Sequence, residues 1–162
     1  MKPRNLTFAP LIPLLTLGGG AIAEERSLEC RLYMAEATEE SSAYEAESAG
    51  RMLGTFRRSS VCVFADGSVA DKQFVNAYSA AADGASGTDH GFSVYTFEDG
   101  DTLTLAYGGG WDANGYRSEY EVLAGTGAYE GASGTGTITG VQSPWTGTSI
   151  VDVTIDVTMP DS

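Results

Sequence analysis

The sequence predicts an all-β domain of antiparallel strands, arranged as a sandwich or a barrel. Three observations point there. Apolar and polar residues alternate with a period of two along several segments, glycine- and aspartate-rich turn signals separate those segments, and the 3.6-residue helical period is almost absent. At 162 residues the chain has room for one such domain.

Residues 1–23 stand apart from it. Lys2 and Arg4 precede the uncharged apolar run LTFAPLIPLLTLGGG, and Ala21-Ile22-Ala23 supplies a small-x-small step before Glu24-Glu25. That is the pattern of a cleavable signal peptide; as a membrane anchor the run is short, and it carries Pro10 and Pro13. Cys30 follows Glu29 rather than a small residue, which argues against a lipoprotein. The expectation is one domain over residues 24–162, periplasmic or secreted, with no membrane attachment after cleavage. Removing residues 1–23 takes away two bases and no acid, which leaves 22 acids against 7 bases and moves the net charge from −13 to −15. A field of that sign repels nucleic acid and anionic lipid. Solubility accounts for it, with a cationic ligand or Ca²⁺ as the alternative reading.

In chain order, SLECRLYMA and SSVCVFA read as strands in which Cys30 shares a face with Leu28 and Leu32, and Cys62 with Phe64. In an oxidising compartment this even pair reads as a disulfide in preference to two buried thiols. The lone His90 lies far away in a Gly/Asp-rich stretch, so neither cysteine reads as a nucleophile, and no metal ligand set is present. Residues 36–50, EATEESSAYEAESAG, are rich in glutamate and read as a solvated loop. Residues 69–82 read as a strand with an irregular end. HGFSVYTFEDG and YRSEYEVLAG are strand-like with apolar or aromatic residues on both faces, whereas DTLTLAY places Leu103, Leu105 and Tyr107 on one side. TSIVDVTIDVTM alternates most cleanly, with Val151, Val153, Ile155, Val157 and Met159 on one face. DG at 66–67 and 83–84, EDGD at 98–101, GGG at 108–110 and NG at 114–115 mark the turns.

Residues 124–140, AGTGAYEGASGTGTITG, hold six glycines and four threonines. A phosphate-binding loop needs a lysine after its glycines, and the only lysine beyond Lys2 is Lys72. A Ca²⁺-binding glycine repeat needs regularly spaced aspartates, and the stretch has none. What remains is sheet chemistry: a strand end, a tight turn at Ala128-Tyr129-Glu130-Gly131, and a sharp bend into the next strand. Gly125, Gly127, Gly131, Gly134 and Gly136 form this structural motif, and Tyr129 is its expected anchor, with its ring over the neighbouring glycines.

GTGAYEGASGTG resembles the glycine-rich stretch shared by plant allene oxide cyclases, dirigent proteins and bacterial exported proteins of the same barrel. GYRSEYEVLAG before it and TSIVDVTIDVTM after it fit in order, so the resemblance covers residues 91–159. It implies a calycin-like, eight-stranded antiparallel β-barrel with a central apolar cavity, often a homodimer or homotrimer, and no cofactor. It does not carry over the family's catalytic residues, and none is assigned. Glu98, Glu119, Glu121 and Glu130 read as solvated, outward residues, with Arg117 a partner for one of them. Tyr95, Tyr107, Trp111, Tyr120 and Trp145 are the cavity candidates, with ordinary packing as the alternative. The expected function is an exported barrel that binds a small apolar or aromatic molecule. An isomerase or cyclase, and a structural or surface protein, are the alternatives.

Overall fold

The computed structural model describes residues 23–35, 40–46, 50–142 and 148–160. Residues 1–22, nearly all of the segment read as a signal peptide, and Trp145 lie outside them. Nine strands follow in order: β1 (Glu24–Ala35), β2 (Glu40–Ala46), β3 (Arg51–Phe64), β4 (Val69–Ala81), β5 (Gly87–Phe97), β6 (Thr102–Asp112), β7 (Gly115–Gly125), β8 (Ser133–Gln142) and β9 (Thr148–Met159). All pairings are antiparallel, in the order β1-β9-β8-β7-β6-β5-β4-β3-β2, and β1 also pairs with β3. That last pairing closes eight strands into a barrel and leaves β2 as an outer extension on β3. The ring removes exposed sheet edges, which is how a sheet of this size avoids edge-to-edge association.

β2 corrects the reading of 36–50 as a loop. Glu40–Ala46 pairs with Arg51–Arg57. Its glutamate content hid it, because an extension outside the closed ring has no need of the apolar alternation that marks a core strand.

Four hairpin turns are each set by an aspartate whose carboxylate accepts a hydrogen bond from the backbone N–H two residues on: Asp66 from Ser68 (2.9 Å), Asp83 from Ala85 (3.0 Å), Asp99 from Asp101 (3.0 Å) and Asp112 from Asn114 (2.7 Å). Part of the acidity is therefore turn chemistry.

The two ends of the barrel differ. At one end Phe64 stacks on Phe97 (centroids 6.0 Å apart) and Phe97 on Tyr129 (4.7 Å), an aromatic plug in which Tyr129 is buried and the two phenylalanines are half-buried. The glycine-rich stretch delivers Tyr129 there on a single 3₁₀ turn, Gly127–Tyr129. Tyr129 sits so close over Gly125 that a Cβ on Gly125 would strike its backbone and side chain. Gly127 is held at φ +57°, against the Asp101 carboxylate, which accepts a hydrogen bond from the Ala128 N–H (2.7 Å). Next to the plug, Cys30 and Cys62 form a disulfide (Cα–Cα 5.6 Å) across the β1–β3 seam.

The wall made by β8, β9 and β1 is apolar inside, with Ile138, Val151, Val153, Ile155, Val157 and Leu32 all buried. The wall made by β4 and β5 is different. It turns Lys72, Asn76, Asp89 and Ser93 inward, while Val75 (53% exposed) and Phe92 (59%) face outward.

Candidate functional site

β4 and β5 alternate in the ordinary way, and period two decides which residues enter the barrel. Ala70, Lys72, Phe74 and Asn76 share the inner face of β4; Asp89, Ser93 and Tyr95 share that of β5. With Tyr107 from β6 and Tyr116 from β7, several of them line a cavity of about 600 Å³. It reaches the end of the barrel opposite the aromatic plug, where residues 83–85 and 112–115 of two hairpin turns line it. Trp111 joins these turns, its indole Nε1–H donating to the Gly84 carbonyl (3.0 Å). Leu32, Ile138 and Val151 form the apolar side, facing Lys72 and Asn76.

Asp89 is the buried carboxylate of this space, 8% exposed. It accepts hydrogen bonds from the Tyr116 hydroxyl (3.1 Å to Oδ2) and from Asn76 Nδ2 (3.2 Å). Loss of water around it raises its pKa above the ordinary aspartate value; the two hydrogen bonds, then the His90 and Lys72 charges, pull it back part of the way. The Tyr116 and Tyr107 hydroxyls are pushed well up, first by burial and then by the anionic groups nearby. Tyr95, whose hydroxyl hydrogen-bonds that of Tyr120 (3.0 Å), is pushed up by burial first and then by Tyr120. At neutral pH these phenols are donors, and Asp89 holds a proton more readily than a solvated aspartate does.

Lys72 lies deeper, 3% exposed. Its Nζ lies 4.6 Å from the Phe74 ring centroid, 5.5 Å from Tyr120, 5.7 Å from Tyr95 and 5.8 Å from Tyr107. Asn76 Oδ1, Ser93 Oγ and Ser118 Oγ are buried without a hydrogen-bond partner. Among the described residues no group of three His, Cys, Asp or Glu side chains is placed to hold a metal ion.

The aromatic residues singled out in the sequence fall into two places. Tyr95, Tyr107 and Tyr120 come together around Lys72, and Trp111 stands where the hairpin turns meet. Glu98, Glu119, Glu121 and Glu130 are all exposed. Arg117 points outward too and, among the described residues, pairs with none of them; the ion pairs found are Arg26–Glu24 and Arg31–Asp152, both on the outer surface. Sequence reading missed Lys72, Asn76, Asp89 and Tyr116. The available signal was parity: with Tyr95 inside, Ser93 and Asp89 must be inside, and with Ala70 and Phe74 inside, so must Lys72 and Asn76.

No protein-family profile matches the chain, and no curated protein matches it in sequence. Solved structures do. The chain is similar to the pterocarpan synthase dirigent protein GePTS1, with a TM-score of 0.57, 15% identity, and 95% of this chain and 99% of that one covered. It is similar to the pterocarpan synthase dirigent protein PsPTS1 at a TM-score of 0.57 and 13% identity, over 86% of this chain and 97% of that one. At these identities the likeness shows the fold: a dirigent-like eight-stranded barrel.

Proposed function

We propose that this barrel binds a small, largely apolar or aromatic molecule in its interior. The observation that carries the reading is the cavity, about 600 Å³, inside the range of about 300–1,000 Å³ usual for small-molecule sites. An apolar wall, an aromatic floor and a few convergent polar groups are the composition such sites need. The disulfide supports an oxidising compartment, and so an exported protein. A saturable rise in fluorescence of the neutral probe N-phenyl-1-naphthylamine tests the reading. Val151→Trp, which fills the cavity from its apolar wall, should abolish that binding. A wild-type chain that gives no saturable signal, and flies without a bound molecule in native mass spectrometry, refutes it.

A second reading, an isomerase or cyclase, is favoured by one observation: Asp89 is a desolvated carboxylate beside a phenol donor and an amide donor. That arrangement can deliver or withdraw a proton from a molecule held between the walls. Two structural neighbours are named as pterocarpan synthases, which supports catalysis by a protein of this shape. A co-purified molecule that wild type returns unaltered on prolonged incubation sinks the catalytic reading and leaves the binding one.

A further inference from the structure

Lys72 bears on what kind of molecule the cavity takes, an inference that rests on the cavity being a binding site. Lysine is rarely fully buried unless it is paired, and among the described residues Lys72 makes no ion pair. Its ammonium has three donors and no acceptor. The four rings around it offer attraction through their faces, but among the described residues no carboxylate lies within ion-pair distance of the nitrogen. The acid that shares the cavity, Asp89, takes its hydrogen bonds from Asn76 and Tyr116 instead.

We propose that Lys72 is the counter-charge for a single oxyanion, a carboxylate or sulfonate, carried by a small aromatic ligand. The ring of that ligand lies among Phe74, Tyr107 and the apolar wall at Ile138 and Val151, all of which line the cavity with Lys72. A second buried group adds detail. Asn76 also lines the cavity, is 3% exposed, and has an Oδ1 without a partner. It is an acceptor, so the ligand carries a hydroxyl or amine donor away from its acid group. Asp83 and Asp112, exposed in the hairpin turns, line the cavity at its mouth, and Arg58, seated over the Phe56 ring, lines it as well.

The net charge of −13 makes the proposal sharper. Surface repulsion acts against every anion, though it fades beyond about 10 Å at 0.1 M salt. A preference for an anionic ligand must therefore come from the cavity.

The experiment compares two probes of one ring skeleton on the whole chain: neutral N-phenyl-1-naphthylamine and its anionic relative 8-anilinonaphthalene-1-sulfonate. A desolvated charge-assisted contact predicts that wild type binds the sulfonate at least about tenfold more tightly. In Lys72→Met the ratio of the two affinities falls to about one, and Lys72→Arg keeps part of the preference. Equal affinities in wild type, or a preference that survives in Lys72→Met, overturn the proposal while the binding reading stands. Failure of both probes removes both. Should Lys72→Met not fold, wild type still decides: 2-naphthoate must displace the neutral probe at least about tenfold better than 2-naphthylmethanol, and equal displacement refutes the proposal.

Discussion

Reducing the Cys30–Cys62 bond, with no change of sequence, should weaken the fold by an amount set by the loop it closes. The two cysteines are 32 residues apart. In the chain-entropy treatment a loop of that length removes about 12 cal/mol/K from the unfolded ensemble, or about 3.7 kcal/mol at 25 °C. A domain of this size loses about 3–5 °C of Tm per kcal/mol, so the reduced protein should melt about 11–18 °C lower. Urea unfolding of oxidised and reduced protein, side by side, gives the free energy directly. The m-value should rise on reduction, because a chain without the cross-link exposes more surface when it unfolds. Location is the second readout. The β1–β3 ladder runs only from Cys30–Phe64 to Met34–Ser60, whereas β3 and β4 pair along Arg51–Val63. Amide exchange should therefore rise first along residues 30–34 and 60–64, where the barrel closes. A stability loss below about 1 kcal/mol, or faster exchange spread evenly over β4 to β7, would refute the argument that this bond holds the closing seam.

Two further outcomes follow from the cavity and the plug. The raised pKa of Asp89 stabilises the fold below the unfolded carboxyl value, about 3.9, and that contribution is lost as pH rises through the folded value. Stability of wild type relative to Asp89→Asn should therefore fall as pH rises from about 3.5 toward neutrality; urea titrations that show no change, or the opposite sign, reject the desolvation account. Gly127→Ala puts a Cβ against the Asp101 carboxylate at φ +57°, costing about 1–2 kcal/mol for the backbone alone. Its thermal midpoint should drop by several degrees, and the near-ultraviolet circular dichroism of the Tyr129–Phe97 stack should weaken with it.

How much of this was legible in the residues depended on which face a strand shows to which solvent. β9 reads at once because its inner face is wholly apolar and its outer face carries Asp152, Thr154 and Asp156. The glycine-rich stretch reads because its turn demands are local: positive φ and close backbone approach constrain residue type whatever the rest of the chain does. β4 and β5 resisted. Phe92 and Val75 lie outside while Lys72, Asn76, Asp89 and Ser93 lie inside, so hydropathy assigns these strands to the wrong face. That inversion cannot be seen from a rule that rewards apolar burial, since a binding cavity is where burial of polar groups is tolerated. β2 escaped for the converse reason, as a strand held by backbone pairing with little core of its own.

The two walls also divide the energetic burden. Ile138, Val151, Val153, Ile155 and Val157 on one side bury apolar surface without any polar atom to satisfy, and the disulfide and the Tyr129 plug add local constraint at the same end of the barrel. On the other side Asn76 Oδ1 and Ser93 Oγ are left without partners, and an unpaired buried polar group lowers stability by about 1–3 kcal/mol. Of these groups Asn76 lines the cavity together with Lys72 and Asp89. On the proposed binding reading, a molecule entering between the hairpin turns would meet β8 and β9 with its apolar face and β4 and β5 with its polar atoms, so its orientation would be fixed by the two walls.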